Sequence, residues 1–439
     1  MKNVRDLHIQ KEIIPLFDFV CNDYSRDVLV QLFTTAPAGL PDILLRQDIL
    51  KGFIRNEQLF RPFSYAKSEF NEVYTYSKDV FPLSCLLLSD FLLYSFGKKK
   101  QREKGQLTQL FMFFHKIDQF YFSHLITVDW PPEFTTRISN ISRVLSELDV
   151  KKYEAIARKR NFSIAELRRL TRMLSEKART GELDAFWQDL FLFEAFLSLA
   201  KGIVKHHFVF PSFTTSPSFS TGGLSIKNFY HPLIKHPIRN SIDTHQNVTL
   251  ITGPNMSGKS TLLKAIGLCV YLAHLGLAVP AEKCHLPFFD VISVAIDLND
   301  DLLSGYSHFM SEIKSLKSIV VEARQSRKCF AIFDELFRGT NAEDALAISK
   351  TTIEGLTQFH DSCFFISTHL HQLMETLALN ADIGARDNIG ARCIECILEN
   401  EIPVFTYRLL TGWSDLKIGQ LIFEQEGLNG LLAKTKALI

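Results

Sequence analysis

The 439-residue chain has no excess of either charge: 49 Lys and Arg face 48 Asp and Glu, a formal net charge of +1. That balance excludes a protein coated in basic surface for nucleic acid, while leaving room for a local basic patch. Long hydrophobic runs are also missing. No run reaches the roughly 20 apolar residues that a bilayer-spanning helix needs, and the best candidate, residues 81–96, is broken by Pro82 and Asp90. The first residues, Met1-Lys-Asn-Val-Arg-Asp6, carry no apolar stretch of the kind a secretory signal requires. The eight Cys are scattered apart from Cys393 and Cys396. Such usage excludes a disulfide scaffold and fits a reducing, cytoplasmic compartment. The Cys393/Cys396 pair has no second Cys or His pair nearby and reads as chance rather than half a metal site. No repeat of 20–50 residues is visible, which removes solenoids and propellers.

What is present is an ordinary globular composition, 46% hydrophobic and 22% charged, long enough for two to four domains. The 37 Phe imply large aromatic-filled helical interfaces. Two textures divide the chain. Residues 1–210 are rich in Leu, Phe and charge at helical spacing, as over 43–53, 107–122 and 141–156. Ser163 and Glu166 have the spacing of a capping box, in which each side chain satisfies an orphan amide at a helix start, and a helix is expected from there through Ala178. Residues 211–223 read as the clearest loop in the sequence, with a domain boundary at or just before it. Over 211–439, apolar runs at 247–252, 291–297, 329–334 and 363–367 look like strands alternating with helices, which predicts a largely parallel sheet flanked by helices. Runs at 392–398 and 404–410 look like a hairpin.

Chemistry concentrates in this second half. Gly253, Gly258, Lys259 and Ser260 complete the G-x-x-x-x-G-K-[S/T] pattern, placed between a strand and a helical run. Its glycines let backbone amides turn toward phosphate oxygens, and the helix start adds about half a positive charge. Lys259 is then suited to the β- and γ-phosphates of ATP, and Ser260 to Mg²⁺. Asp334 and Glu335 end an apolar strand. Side chains alternate along a strand, so the two carboxylates diverge: Asp334 toward the metal, Glu335 toward an attacking water as general base. His369 ends a third apolar strand, where it can sense the γ-phosphate or hold the water. Residues 300–312 form a polar loop leading into a helix, with no chemistry assignable from composition.

Together these segments resemble the ATPase domain of the MutS family of DNA mismatch repair proteins. Thr252-Gly-Pro-Asn-Met-Ser-Gly-Lys-Ser-Thr261 is similar to that family's Walker A segment, 334–340 to its Walker B segment, 367–373 to its His switch, 304–312 to its signature loop and 407–419 to its C-terminal strand and turn. Upstream, 45–50 is similar to a helix of its core domain, and 193–200 followed by 210–211 to the long helix entering its ATPase domain. The resemblance implies an α/β P-loop NTPase of the MutS/ABC type preceded by an all-α lever or core domain, without the family's mismatch-recognition and connector domains and with little room for its C-terminal dimerisation element. It implies ATP held by Gly253, Pro254, Asn255, Met256, Ser257, Gly258, Lys259, Ser260 and Thr261, with His231 and Ile238 near the adenine. It implies Mg²⁺ on Ser260 and Asp334, and Glu335, His369 and Asn255 at the reacting phosphate. Ser307 would act in trans, across a homodimer or a MutS-like heterodimer. Phe337 stands where the family has Gly, Asn341-Ala342 where it has Ser-Thr, and Ile238 where it has an aromatic. Phe337, Asn341 and Ala342 are expected beside the dimer interface. Phe70-Asn71-Glu72 spells the family's mismatch wedge but lies in a helical stretch and reads as coincidence.

Two basic segments are candidates for DNA. Residues 98–104 read as a basic loop. Residues 151–179 hold ten Lys/Arg (151, 152, 158, 159, 160, 168, 169, 172, 177, 179) against three Glu, which on a helix makes a basic face. Contacts of this kind are independent of sequence and strongly salt-dependent. Two other roles suit the same engine: an ABC-type mechanochemical ATPase acting on RNA, ribosomes or a protein partner, and a nucleotide-gated scaffold with little hydrolysis.

Overall fold

The structure, a computed structural model, describes residues 4–56, 59, 64–84, 97–125, 129–214, 219–296, 308–377, 379, 385–386, 388–399, 402–414 and 418–432. They form two compact units, one of Met1–Glu12, Ala36–Ile43 and His207–Ile439, the other of Ile13–Thr35 and Leu44–His206. The main division falls at 206–207. The short N-terminal piece in the first unit has no compositional signature. It is held by tertiary contacts: Leu7 is buried, and the Asp6 carboxylate accepts from the backbone N–H of Ile296 at 2.7 Å.

Every element described in the second unit is helical. Its helices are α1 (Asp23–Thr34), most of α2 (Leu40–Arg55), α3 (Lys67–Ser84), α4 (Gly97–Phe120), α5 (Pro132–Glu147), α6 (Val150–Arg158), α7 (Ile164–Arg179) and α8 (Glu182–His206). Helix α7 starts on a complete capping box from Ser163 and Glu166. The helix expected over 141–156 is two helices, because Asp149 adopts a left-handed conformation (φ 51°) that ends one and caps the next. The basic segment 98–104 is the first part of α4 rather than a loop, since Gly97 and Gly105 do not interrupt it.

The aromatic surplus fills this unit. Trp187 is buried among Phe70, Tyr74, Phe186 and Phe191, with ring centroids 5.2–6.0 Å apart. Such pairs add about 0.5–1.5 kcal/mol each beyond the area they bury. Phe70 is therefore a core residue, with no face free to wedge beside a base. A buried carboxylate, Glu194, accepts from Asn22 (2.7 Å), Ser25 (2.8 Å) and Tyr65 (2.9 Å), satisfying a group whose carboxyl is pushed up by burial.

The first unit holds two sheets. The smaller has the order β1 (Ser212–Phe213), β5 (Lys283–Leu286), β2 (Leu224–Phe229), β3 (Asn240–Thr244). The stretch 211–223 is thus not wholly a loop: it carries β1 and a helical turn at Phe219–Gly222. The larger sheet has the order β11 (Ile402–Thr411), β10 (Ile389–Glu399), β4 (Val248–Thr252), β8 (Cys363–Ser367), β7 (Cys329–Phe333), β6 (Val291–Ala295), with β9 (Ala385–Arg386) on β10. From β10 to β6 the pairing is parallel, and β10–β11 is the antiparallel hairpin. Strands β4, β8 and β7 and the terminal strand β6 are buried at every position, which is why they read as unbroken apolar runs. Helix α9 (Lys259–His274) packs on them. A Cβ on Gly267 would lie 3.1 Å from Ile332 and Val294, so glycine sets how closely this helix approaches the sheet. Helices α10 (His308–Arg324) and α11 (Ala342–Leu356) complete the layers. No described helix is long and apolar enough to cross a membrane.

Candidate functional site

Register decides where the chemistry collects. Ile251 of β4 pairs with Ser367 of β8, and Ile366 of β8 pairs with Phe333 of β7. Three parallel strands therefore end level, with β8 between the other two. The P-loop, the Asp334–Glu335 pair and His369 all leave from those carboxyl ends, the edge where open parallel sheets carry ligands.

The P-loop needs its glycines. Gly253 (φ 143°) and Gly258 (φ 93°) occupy backbone conformations that disfavour a side chain, and Met256 (φ 69°) is left-handed and exposed. Helix α9 begins at Lys259, with Gly258 as its cap. The Lys259 ammonium donates to the carbonyls of Gly253 (3.0 Å) and Pro254 (3.2 Å) and lies 3.8 Å from Glu335. Burial pulls its pKa down, against the pull of Glu335 and Asp334. The Ser260 hydroxyl donates to one oxygen of Asp334, and Ser367 donates to the other. Burial raises the Asp334 carboxyl, and the hydrogen bonds from Ser260 and Ser367 oppose that rise. A hydroxyl and a carboxylate one hydrogen bond apart make an all-oxygen donor pair. It fits Mg²⁺, which takes one or two carboxylates, keeps several waters and shares the rest of its shell with phosphate.

Glu335 sits on a strained turn. It is left-handed (φ 51°), as is Phe337 (φ 67°). Its backbone N–H donates to Ser367 Oγ at 2.9 Å, and its carboxylate accepts from Arg338 at 3.1 Å. Phe337, expected beside a partner surface, is a core residue. It is 1% exposed and lies in the core cluster under β7 and β8. Asn341 caps α11 through its side chain, accepting from Asp344 N at 2.9 Å.

Beside the P-loop helix opens a cavity of about 220 Å³. Ser257, Gly258, Thr261 and Leu262 form one wall, and Tyr230, His231, Pro237, Ile238 and Tyr407 lie around it. His231 and Ile238 are thus in the same cavity wall. Burial lowers the His231 pKa, with Lys264 acting in the same direction and Glu12 against it. Ser257 lines this cavity, and its buried hydroxyl has no hydrogen-bond partner among the described residues.

Residues 249–428 match the family described as MutS domain V, and 224–273 match an AAA domain. Over 359 residues, 77% of the chain, it is 30% identical to the DNA mismatch repair protein MutS of Streptococcus gordonii. It is 33% identical over 223 residues to MutS of Listeria innocua, and over 233 residues to that of Geobacillus kaustophilus. The chain belongs to the MutS family. It spans only 40%, 24% and 25% of those three relatives. The matched region is an ATPase α/β fold with mixed sheets, in keeping with the sheet described above.

Within this MutS domain, Lys259, Ser260, Asp334 and Glu335 converge, and exposed His369 follows the end of β8 in the chain. Exposed Asn255 stands at the tip of the P-loop. Ser307 lies outside the described residues. Three participants were not singled out from sequence. Ser367 ties Asp334 to Glu335. Tyr407 is left-handed (φ 58°) at an irregularity in β11, and its ring packs over Gly258, where a Cβ would lie 3.2 Å from it. Asn240 holds that irregularity, donating to Tyr407 O (2.9 Å) and accepting from Leu409 N (2.8 Å). An aromatic thus reaches the cavity from β11, although Ile238 is not one.

The basic face is smaller than its composition. Lys177 is buried and paired with Glu147 and Glu182, and Arg158 pairs with Glu154 at 2.5 Å. Lys151, Lys159, Arg160, Arg169, Arg172 and Arg179 are exposed on or beside α6 and α7. Cys393 and Cys396 are free thiols on β10, and no metal-holding cluster occurs among the described residues.

Proposed function

We propose that the chain binds MgATP at the ends of β4, β7 and β8 and hydrolyses it. One observation carries this reading: Lys259, Ser260, Asp334, Glu335 and Ser367 meet through a single chain of hydrogen bonds and one close ion pair. The Gly253–Thr261 backbone and Lys259 hold the β- and γ-phosphates, with Asn255 helping to place the latter. Ser260 and Asp334 hold Mg²⁺, which supplies positive charge to the phosphate oxygens when bound. Glu335 takes a proton from the attacking water. The new P–O bond forms as the bond to the β-phosphate oxygen breaks, so ADP and phosphate leave. His369 reports the γ-phosphate. The adenine lies in the cavity with His231, Ile238 and Tyr407. The five aromatic or imidazole rings lining it, Phe229, Tyr230, His231, His236 and Tyr407, support a planar occupant.

The wider role is a MutS-like one. Two ATPase units face each other, each Ser307 capping the nucleotide of its partner. The closed state is coupled through the helical unit, acting as a lever, to DNA held by the exposed arginines and lysines of α6 and α7. The setting is mismatch repair or a related DNA transaction. Lys259→Ala abolishes hydrolysis, and Glu335→Gln traps ATP in a closed dimer. Wild-type turnover by Glu335→Gln would remove it as the base. Band-shift binding to homoduplex, mismatched and junction DNA at two salt concentrations tests the partner, and equal affinity for all three sinks a mismatch-sensing role. Converting Lys159, Arg169 and Arg172 to Ala should flatten the salt dependence by roughly three in slope, at about 0.9 per phosphate contact.

A scaffold reading keeps one supporting observation: Arg338 occupies one Glu335 oxygen at 3.1 Å. ATP binding without turnover, with or without DNA, would favour it.

A further inference from the structure

The turn that carries Glu335 contains two left-handed residues that are not glycine, Glu335 and Phe337. Backbone of that kind persists only where its surroundings hold it. For Glu335 the holder is Ser367. For Phe337 the holder comes from helix α10: the backbone N–H of Phe337 donates to Glu312 Oε2 at 3.0 Å, and Glu312 is 0% exposed. A carboxylate buried this deeply on an amphipathic helix is out of place unless something needs it.

Two further contacts join the same pieces. The rings of Phe309, also on α10, and Phe337 lie 6.1 Å apart. Gly339 lets the turn approach α10 so closely that a Cβ there would lie 3.1 Å from Phe309. The turn is therefore pinned on both sides of Glu335, by β8 and by α10.

We infer that Glu312 is a positioning residue for Glu335, holding Phe337 in its left-handed conformation and so fixing where the Glu335 carboxylate points. The inference rests on Glu335 being the general base. A loosened turn leaves the nucleotide pocket intact and misplaces the base, and a displacement near 1 Å is enough to cost up to about a hundredfold in rate.

The test is steady-state ATP hydrolysis by the full chain, with kcat and KM separated and folding checked by circular dichroism. Glu312→Leu should lower kcat between about ten- and a hundredfold while KM stays within about twofold. Glu312→Gln keeps an acceptor oxygen and should recover most of kcat. Adding Phe337→Gly to Glu312→Leu should also recover it, because glycine adopts φ 67° unaided. A wild-type kcat in Glu312→Leu, or no recovery with Phe337→Gly, overturns the inference. Should Glu312→Leu fail to fold, Phe337→Ala must show a lower kcat than Phe337→Gly at equal KM, and equal values overturn it. A wild-type chain without turnover overturns the hydrolysis reading along with this one. A wild-type chain with turnover and an indifferent Glu312 series overturns this one alone.

Discussion

Changing Ser367 to Ala deletes a single oxygen that performs two tasks, donating to Asp334 and accepting from the N–H of Glu335. The first loss acts on the metal. A hydrogen bond to a charged group contributes about 1.5–3 kcal/mol, so Mg²⁺ should bind roughly ten- to a hundredfold more weakly at neutral pH. The second loss acts on the base, since an unsatisfied, part-buried N–H costs about 1–3 kcal/mol and frees the strained turn, lowering kcat. The pH profile gives an independent check. Burial raises the Asp334 carboxyl, and Ser260 and Ser367 pull it back down. Without Ser367 the neutral acid persists to higher pH, and the neutral acid is the form that does not bind metal. The acid limb of activity must therefore move to higher pH. The assay is ATP hydrolysis across a Mg²⁺ titration and across pH, beside the unchanged chain. An unaltered Mg²⁺ midpoint together with an unmoved acid limb would refute the reasoning, even if kcat fell.

Three other perturbations test separate parts of the molecule. Tyr407→Ala should weaken ATP binding roughly tenfold, since base stacking on an aromatic is worth about 1–3 kcal/mol, and Tyr407→Phe should not; equal dissociation constants for an ATP analogue would remove Tyr407 from the base site. Gly202→Ala should destabilise the helical unit by about 1–3 kcal/mol, because its Cβ would lie 2.4 Å from Phe17 Cδ1 and 3.0 Å from the Phe17 backbone; a urea midpoint equal to wild type contradicts this. His274 donates to Val270 O (2.8 Å) and accepts from Phe289 N (2.8 Å) through its other nitrogen, and its full burial lowers its pKa to about 4 against the pull of the Val270 bond. The unfolded chain takes up that proton near pH 6.5 and the folded chain does not, so stability is lost as pH drops from 6.5 to 4, by about 3 kcal/mol. Thermal unfolding at pH 7 and 4.5 should show the loss in the wild type and a smaller one in His274→Gln.

Much of the fold was readable in short windows. Strand runs such as 363–367 were legible because a strand buried on both faces must be apolar throughout, and the P-loop because its glycines, lysine and serine are adjacent in the chain. The capping box at Ser163 was legible for the same reason: donor and acceptor stand three residues apart. The break at Asp149 was not, since a non-glycine residue gives no local sign of a left-handed backbone. Neither was the loss of Lys177 from the basic face, because its partner Glu147 lies on a different helix. Counting charges over 151–179 assumes that all of them point outward, and a helix packed on its neighbours does not allow that.

The site shows the same limit more sharply. Four non-glycine residues at or beside it have positive φ: Met256, Glu335, Phe337 and Tyr407. Three of them are held by side chains far away in sequence. Ser367 is 32 residues from Glu335, Glu312 is 25 from Phe337, and Asn240 is 167 from Tyr407. A backbone that relaxes alone needs no holder, and a holder nearby in sequence would form a recognisable motif. A strained backbone with a remote holder has neither signature, so it emerges only when the sheet brings strands and helices together. Phe337 illustrates the consequence. Read as a letter in place of glycine, it suggested a changed partner surface. Placed in the fold, it is a core residue whose backbone demands an acceptor, and the buried carboxylate that answers that demand lies on another helix.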